Sequence, residues 1–261
     1  MSQLAARARE QRKFIREIIT DVNGFSDQHS SSVVPSYPLP GAVDKLSDPA
    51  FGGVFPFPFI GFAVPNRFKA ADGNWQYMGR TKFKELLQKV EDVRVSKVYN
   101  TTWLYGTPGY GKSHLLAALV CYLAAQDVRV VYIPDCGELL EDFIEYVRAA
   151  MLFAWADDIT TQEEIMALKT EKDIGRFFKG FMGQQSVTFV VDQMNALNAS
   201  TDEAQHGRRW LNHFMYSHKS VISSSANYTE YLEQSIEQSS NDVLRVYGGL
   251  DKASHGKIIS L

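Results

Sequence analysis

The sequence predicts an α/β fold with a doubly wound, mostly parallel sheet, and three observations support this. Four short runs rich in β-branched and aromatic residues alternate with segments of helical length. The first run leads into a glycine-rich turn and then an apolar helical segment. A later run ends directly in an acidic residue. Because ligands of such folds bind at the carboxyl ends of the strands, we expect the turn and the acid to lie close together.

Length and composition set the limits of the interpretation. The 261 residues suffice for one large α/β domain with an appendage. The net charge of −3 gives no overall electrostatic reason to expect nucleic-acid binding. The longest apolar stretch, residues 54–64, is interrupted by Pro56 and Pro58, and no signal peptide is recognisable. We therefore expect a soluble protein with no membrane partner.

The N-terminal part differs in composition from the rest of the chain. We predict a basic helix and a Ser/Pro-rich linker over residues 1–50, followed by the main domain over residues 51–261. The helix, at residues 4–20, has only a thin apolar stripe, so we expect a partly ordered surface helix. Residues 51–62 are too aromatic to remain solvated and are expected to pack onto the domain, or alternatively to bind a partner.

The glycine-rich turn at residues 106–113 matches Gly-x-x-x-x-Gly-Lys-[Ser/Thr], the pattern of phosphate-binding loops. A strand is predicted before it, at 101–105, and a helix after it, at 113–125. Lys112 is expected to contact the β- and γ-phosphates, and the Ser113 hydroxyl to bind Mg²⁺. The predicted nucleotide-binding residues here are Gly106, Thr107, Pro108, Gly109, Tyr110, Gly111, Lys112, Ser113 and His114.

A second motif is the apolar run at residues 186–192, which ends in Asp192. This is the Walker B pattern, in which the aspartate holds Mg²⁺ opposite the hydroxyl of the phosphate loop. The next residue is Gln193, where many ATPases have a glutamate that acts as the general base. An amide cannot accept the proton, although it can orient a water molecule. We therefore expect slow or partner-dependent hydrolysis.

Further site residues are predicted less directly. The turn before residue 82 is similar to the Gly-Arg motif of AAA+ and signal-transduction ATPases, which places Gly79 and Arg80 near the base; an ordinary helix start is the alternative. A fourth strand, at residues 221–227, ends where related ATPases carry a residue that contacts the γ-phosphate. The candidates are Ser224, Ser225 and Asn227, and a capped turn is the alternative.

Two arginines and one aspartate have open interpretations. Arg208 and Arg209 are expected to contact the γ-phosphate or to lie on the surface of a helix. Asp135 follows a strand predicted at residues 128–133, so it either contacts the ligand or ends the strand in a turn. Residues 138–182 are helical in pattern and show no site chemistry.

Several segments together resemble the ATPase domain of Crinkler effector proteins. They are residues 106–119, Val131-Tyr-Ile-Pro-Asp-Cys136, Met151-Leu-Phe-Ala-Trp-Ala-Asp-Asp158 and Val190-Val-Asp-Gln-Met-Asn-Ala-Leu197. The resemblance covers about residues 55–250 and implies a regulatory ATPase module of a secreted effector that reaches a host nucleus. No header with an export motif precedes it and nothing nuclease-like follows residue 247, so the domain is expected to be incomplete relative to the family.

The sequence thus predicts a domain that binds ATP with Mg²⁺, hydrolysing it slowly or on partner binding. One alternative is a nucleotide-dependent scaffold that hardly hydrolyses, which Gln193 favours. Another is an ATPase of the helicase-loader or transposition-helper type, which has a similar loop continuation. Self-association through the domain is expected, and the resemblance implies a host protein or nucleic acid as target.

Overall fold

The computed structural model describes residues 3–24, 39–96, 100–181, 187–225 and 242–246. Its helices are α1 (Gln3–Val22), α2 (Pro40–Ser47), α3 (Lys82–Val95), α4 (Lys112–Ala125), α5 (Cys136–Leu139), α6 (Phe143–Ala154), α7 (Ile159–Ala167), α8 (Glu171–Gly180) and α9 (Asp202–Ser217), with 3₁₀ turns at Asn66–Phe68 and Met194–Asn198. Its strands are β1 (Gly52–Pro56), β2 (Asn74–Met78), β3 (Thr101–Gly106), β4 (Val130–Ile133), β5 (Thr188–Val191), β6 (Lys219–Ser225) and β7 (Asp242–Val246).

The main sheet has five parallel strands in the order β4-β5-β6-β3-β7. This confirms the predicted α/β fold class. The chain leaves β3 through α4, crosses to the far edge at β4 and then returns strand by strand to β6, beside β3. The ends of β3, β5 and β6 therefore lie at one edge of the sheet, where α/β folds bind ligands. Four strands were predicted; the fifth, β7, was not, because its five residues alternate too briefly to be distinguished.

Helix α4 joins the sheet to the layer above it. Nearly all of its residues are buried, as its apolar sequence predicts. It contacts β3 and β4 on one side and α1 on the other. Among the described residues, no helix combines the length and the apolar character that crossing a membrane requires.

Helix α1 is not the surface helix that its sequence suggests, because it packs against α4 and α6. The buried positions Ala5 and Ala8 follow one another at helical spacing, and their small side chains allow close approach to the neighbouring helices. Arg12 lies on the same face and is only 3% exposed. Its guanidinium donates to the backbone carbonyl of Ala154 and contacts Asp157. The charge of Arg12, expected to be exposed, is therefore buried and paired.

The predicted linker is also more ordered than its composition indicates. Within it, residues 40–47 form α2, which packs on α1 and α3; residues 25–38 lie outside the described part. The aromatic segment that follows forms β1, paired antiparallel with β2. Phe55 and Trp75 face each other in this pair and both are buried. The expectation that the segment packs onto the domain is confirmed.

A glycine fixes the approach of α2 to β2, and its replacement is our first prediction. A Cβ atom on Gly79 would lie 2.0 Å from the backbone oxygen of Asp48. Because the clash is with backbone, a side-chain movement cannot relieve it. We expect Gly79→Ala to lower the free energy of unfolding by about 2 kcal/mol, measured by urea denaturation. The matched control is Gly180→Ala, since a Cβ there meets nothing within 4 Å. Equal stabilities of the two variants would contradict this packing.

Candidate functional site

The phosphate loop joins β3 to α4, as predicted. Gly109 and Gly111 have φ angles of 84° and 77°, a left-handed conformation that side chains disfavour. Helix α4 begins at Lys112, directly after Gly111, so its first N–H groups and its positive dipole end face the loop. The strand, loop and helix therefore have the geometry that favours anion binding at a helix N-terminus.

Lys112 points back into this loop. Its Nζ donates hydrogen bonds to the backbone oxygens of Gly106, at 2.6 Å, and Thr107, at 2.9 Å. The residue is 8% exposed, and burial lowers the pKa of its ammonium group, an effect that the Asp192 carboxylate opposes. The predicted lysine and aspartate thus lie close enough to interact electrostatically.

Asp192 follows the end of β5 and is 1% exposed. Its carboxylate accepts a hydrogen bond from the hydroxyl of Ser223, on the neighbouring strand β6, and another from the backbone N–H of Gln193 at 2.9 Å. The same N–H also lies 3.2 Å from the Ser223 oxygen. These contacts hold the carboxylate in one orientation at the floor of the site.

Arg67 is the site residue that the sequence analysis missed. It lies on the 3₁₀ turn between β1 and β2. Its Nε donates to the Ser113 hydroxyl at 3.1 Å, and its terminal nitrogens donate to Asp135 at 2.7 Å and Asp192 at 3.3 Å. Burial alone would lower the pKa of Arg67, but the two carboxylates raise it above its ordinary value. Nothing in the local sequence distinguishes this arginine from a surface residue.

Asp135 ends its strand in a turn, as one of its two interpretations predicted, and its contact with a ligand stays a prediction. One carboxylate oxygen caps α5 by accepting from the backbone N–H of Gly137 at 2.8 Å. The other oxygen contacts Arg67. It therefore acts on the site through Arg67, while its capping bonds fix its position.

The predicted metal ligands fit a magnesium ion. Ser113 Oγ and Asp192 Oδ2 both accept from the Arg67 guanidinium, at 3.1 and 3.3 Å. The two oxygens are therefore close enough together to contact a single cation. A hydroxyl and a carboxylate suit Mg²⁺, which usually takes few protein ligands and completes its shell with phosphate oxygens and water. Within the described ranges no group of three or more His, Cys, Asp or Glu side chains could hold a metal without such additional ligands.

Arg80 lies against the phosphate loop. A Cβ atom on Gly111 would be 2.4 Å from the Arg80 guanidinium carbon, so the two are in direct contact. Burial lowers the pKa of Arg80. Gly79 does not line the cavity and packs against Asp48 instead. The placement of both residues near the base stays a prediction, and the contact with Gly111 puts the Arg80 charge beside the loop.

His114 forms part of the wall of the site. Its ring centroid lies 4.9 Å from that of Phe68 and 5.7 Å from that of Trp75. Burial, together with the positive charges of Arg80 and Arg67, lowers its pKa to about 4. The imidazole is therefore neutral at physiological pH and acts as an aromatic wall rather than as a phosphate-binding cation.

This pKa makes the stability of the fold depend on pH. In the unfolded chain His114 has the ordinary pKa of 6.5. Between pH 6.5 and 4 it is therefore protonated in the unfolded chain but still neutral in the folded one. Stability is thus fully present above pH 6.5 and falls as the pH drops through that window. We expect the free energy of unfolding, measured by urea denaturation, to decrease between pH 7.5 and pH 5. This decrease should be about 2 kcal/mol smaller in His114→Phe, which keeps an aromatic ring. An equal loss in both proteins would contradict the assignment.

The residues after β5 and within β6 position the rest of the site. Gln193 has a φ of 58° and borders the cavity, where a water-orienting amide is expected. On β6 the structure brings Ser223 to the site rather than Ser224, since neighbouring strand residues point to opposite faces. The side chain of Ser225 and the whole of Asn227 lie outside what the structure describes, so their predicted roles stay predictions.

Together these side chains enclose a cavity of about 400 Å³. Its lining is Arg67, Arg80, Pro108, Gly109, Gly111, Lys112, Ser113, His114, Asp192, Gln193, Asn195 and Ser223. The cavity is cationic towards the loop and acidic at its floor. Of the arginines on α9, Arg208 is exposed and Arg209 lines a separate groove between α8 and α9, so neither is brought to the cavity.

Comparison with known proteins gives one family match. Residues 84–163 match the bacterial DnaA ATPase domain, from within α3 to within α7. This segment includes the phosphate loop and ends before Asp192. A comparison with curated protein sequences finds no match.

Several solved structures are similar in part. A DNA replication initiation factor is 16% identical, with a TM-score of 0.39, over 69% of this chain and 50% of the other. PCH-2 from C. elegans is 13% identical, with a TM-score of 0.38, over 68% and 45%. AMPPCP-bound DnaA from Aquifex aeolicus is 17% identical, with a TM-score of 0.37, over 68% and 50%. This chain spans about half the length of these proteins.

The class of protein follows from the chain's own features. A parallel sheet in the order β4-β5-β6-β3-β7, a phosphate loop after β3 and a buried aspartate after β5 define a P-loop NTPase domain. The segment similar to the bacterial DnaA ATPase domain includes the phosphate loop of this domain.

Proposed function

We propose that this domain binds ATP together with Mg²⁺ and hydrolyses it slowly. The observation that carries the proposal is the convergence of Lys112, Ser113 and Asp192 on one cavity at the end of the phosphate loop. Loop N–H groups and the cations Lys112, Arg67 and Arg80 suit a triphosphate. Bound Mg²⁺ would neutralise phosphate charge, with Ser113 and Asp192 holding it.

The slow rate is inferred from the floor of the site. Gln193 stands where a carboxylate would take a proton from the attacking water, and its amide can only orient that water. Its backbone is fixed by the contacts of its N–H group with Asp192 and Ser223. The site is therefore better suited to binding the nucleotide and aligning the water than to removing a proton from that water.

A scaffold that is controlled by nucleotide binding and hardly hydrolyses is the second candidate, and Gln193 favours it. The two candidates differ in turnover. We expect phosphate release by the purified chain to rise linearly beyond one equivalent when ATP is in excess. Release that stops at or below one equivalent, with ATP still bound, would favour the scaffold.

The biological setting is inferred from resemblance. We propose that the domain is a regulatory module of a Crinkler-like effector, acting on a host protein or nucleic acid in the nucleus, and that it self-associates through the ATPase domain. An ATPase of the helicase-loader or replication-initiator type is the alternative, which the DnaA match over residues 84–163 supports. ATP-dependent DNA binding that weakens steeply with salt would favour this alternative.

A further inference from the structure

Arg67 joins three separate parts of the site. It comes from the turn between β1 and β2, outside the five-stranded sheet, and reaches Ser113 on the phosphate loop, Asp192 after β5 and Asp135 after β4. It also donates to the backbone oxygen of Pro134. Every nitrogen of the guanidinium therefore has an acceptor. A guanidinium with an acceptor at each nitrogen is a specific arrangement and not a loose surface contact.

Two of these acceptors are the residues that would hold the metal. Ser113 Oγ and Asp192 Oδ2 accept hydrogen bonds from Arg67 at 3.1 and 3.3 Å, so the guanidinium lies beside the position that a metal ion bound to both oxygens would take. A divalent cation at the same oxygens would also repel the guanidinium at short range. Arg67 and the metal therefore compete for these two oxygens in this arrangement.

We propose that Arg67 is a built-in counter-cation, which holds the metal ligands until Mg²⁺ with ATP displaces it, and which then binds the phosphate oxygens. The inference rests on the proposed function and deepens it by naming how the site is controlled. Displacement exchanges carboxylate partners for phosphate partners, so the charge of Arg67 stays paired throughout.

The surroundings of Arg67 allow the side chain to move while its backbone stays in place. The next residue, Phe68, is 2% exposed and packs on Phe57 at 4.7 Å, Trp75 at 5.5 Å and His114 at 4.9 Å between ring centroids. This aromatic cluster fixes the turn. The Arg67 side chain itself is 23% exposed and lines the cavity beside Lys112, so phosphate oxygens lie within its reach.

Removal of the Arg67 side chain should change the affinity for a divalent cation and the affinity for nucleotide in opposite directions. In the chain without nucleotide, the freed oxygens of Ser113 and Asp192 should bind a divalent cation more tightly. In the complex, the loss of a phosphate contact should weaken nucleotide binding. A purely structural defect would weaken both, because both depend on an intact loop.

The first measurement is the affinity of the full chain for Mn²⁺ without nucleotide, detected by electron paramagnetic resonance. The second is the affinity for a fluorescent ATP analogue in the presence of Mg²⁺. We expect Arg67→Ala to bind Mn²⁺ about tenfold more tightly than wild type and to bind Mg-ATP several-fold more weakly. The matched control is Arg176→Ala, whose guanidinium is exposed on α8 and should leave both unchanged.

A second variant keeps the test decisive if Arg67→Ala does not fold. Asp135→Asn retains an oxygen that can cap α5 but removes the charge that Arg67 contacts at 2.7 Å. It should loosen Arg67 and also tighten Mn²⁺ binding. Mn²⁺ affinities equal to or weaker than wild type in the folded variants would overturn the proposal. Failure of the wild-type chain to bind Mg-ATP would instead refute the proposed function, because the Mn²⁺ measurement requires no ATP.

Discussion

Replacement of Lys112 by alanine is expected to weaken Mg-ATP binding about 100-fold and to reduce phosphate release to background. The lysine is buried at the centre of the phosphate loop, with its ammonium group 2.6 Å from the Gly106 oxygen. When phosphate enters, these backbone partners can be exchanged for phosphate oxygens without moving the residue. No other lysine lines the cavity in the described part of the chain.

Equilibrium titration with a fluorescent ATP analogue measures this effect. Lys172→Ala is the control, since Lys172 is an exposed lysine on α8. Thermal unfolding should show that Lys112→Ala remains folded, because removing the ammonium group leaves two backbone oxygens near a solvent-accessible cavity. Retained affinity in a folded Lys112→Ala protein would mean that the nucleotide binds elsewhere.

Replacement of Gln193 by glutamate is expected to raise the rate of phosphate release by about 10- to 100-fold. The substitution adds a group that accepts a proton, and it keeps the length of the side chain. The backbone of Gln193 is already held in its left-handed conformation by the contacts of its N–H group with Asp192 and Ser223. The new carboxylate should therefore occupy the position of the amide.

Steady-state turnover with saturating Mg-ATP gives the comparison. Gln193→Ala should be slower than wild type, because it removes the amide that orients the water. An unchanged or lower rate in Gln193→Glu would show that the attacking water is not aligned at this position, and that a base from elsewhere limits the reaction.

The residues predicted best are those whose chemistry depends on local sequence. The phosphate loop needs glycines at fixed spacing, and Asp192 ends an apolar strand; both appear in the structure as expected. Arg67 could not be predicted in the same way. It lies 46 positions before Ser113, and only the folding of β1 and β2 against the sheet brings the two together.

The errors also have physical causes. Helix α1 was expected on the surface because its apolar stripe is thin and its arginines are charged, yet small alanine side chains permit close packing and the buried Arg12 finds acceptors on α6 and beyond. On β6 the residue that reaches Asp192 is Ser223, which the sequence did not single out, and its neighbour Ser224 lies on the opposite face because successive strand residues alternate. Which face each serine takes cannot be determined from a run of three serines.

The central claim is that Lys112, Ser113 and Asp192 form one site for Mg-ATP. The most direct test is isothermal titration of the purified wild-type chain with ATP, in Mg²⁺ and again in excess EDTA. We predict one saturable site per chain in Mg²⁺ and binding about tenfold weaker in EDTA. No binding under either condition would contradict the claim, and equal binding in both would contradict the metal roles of Ser113 and Asp192.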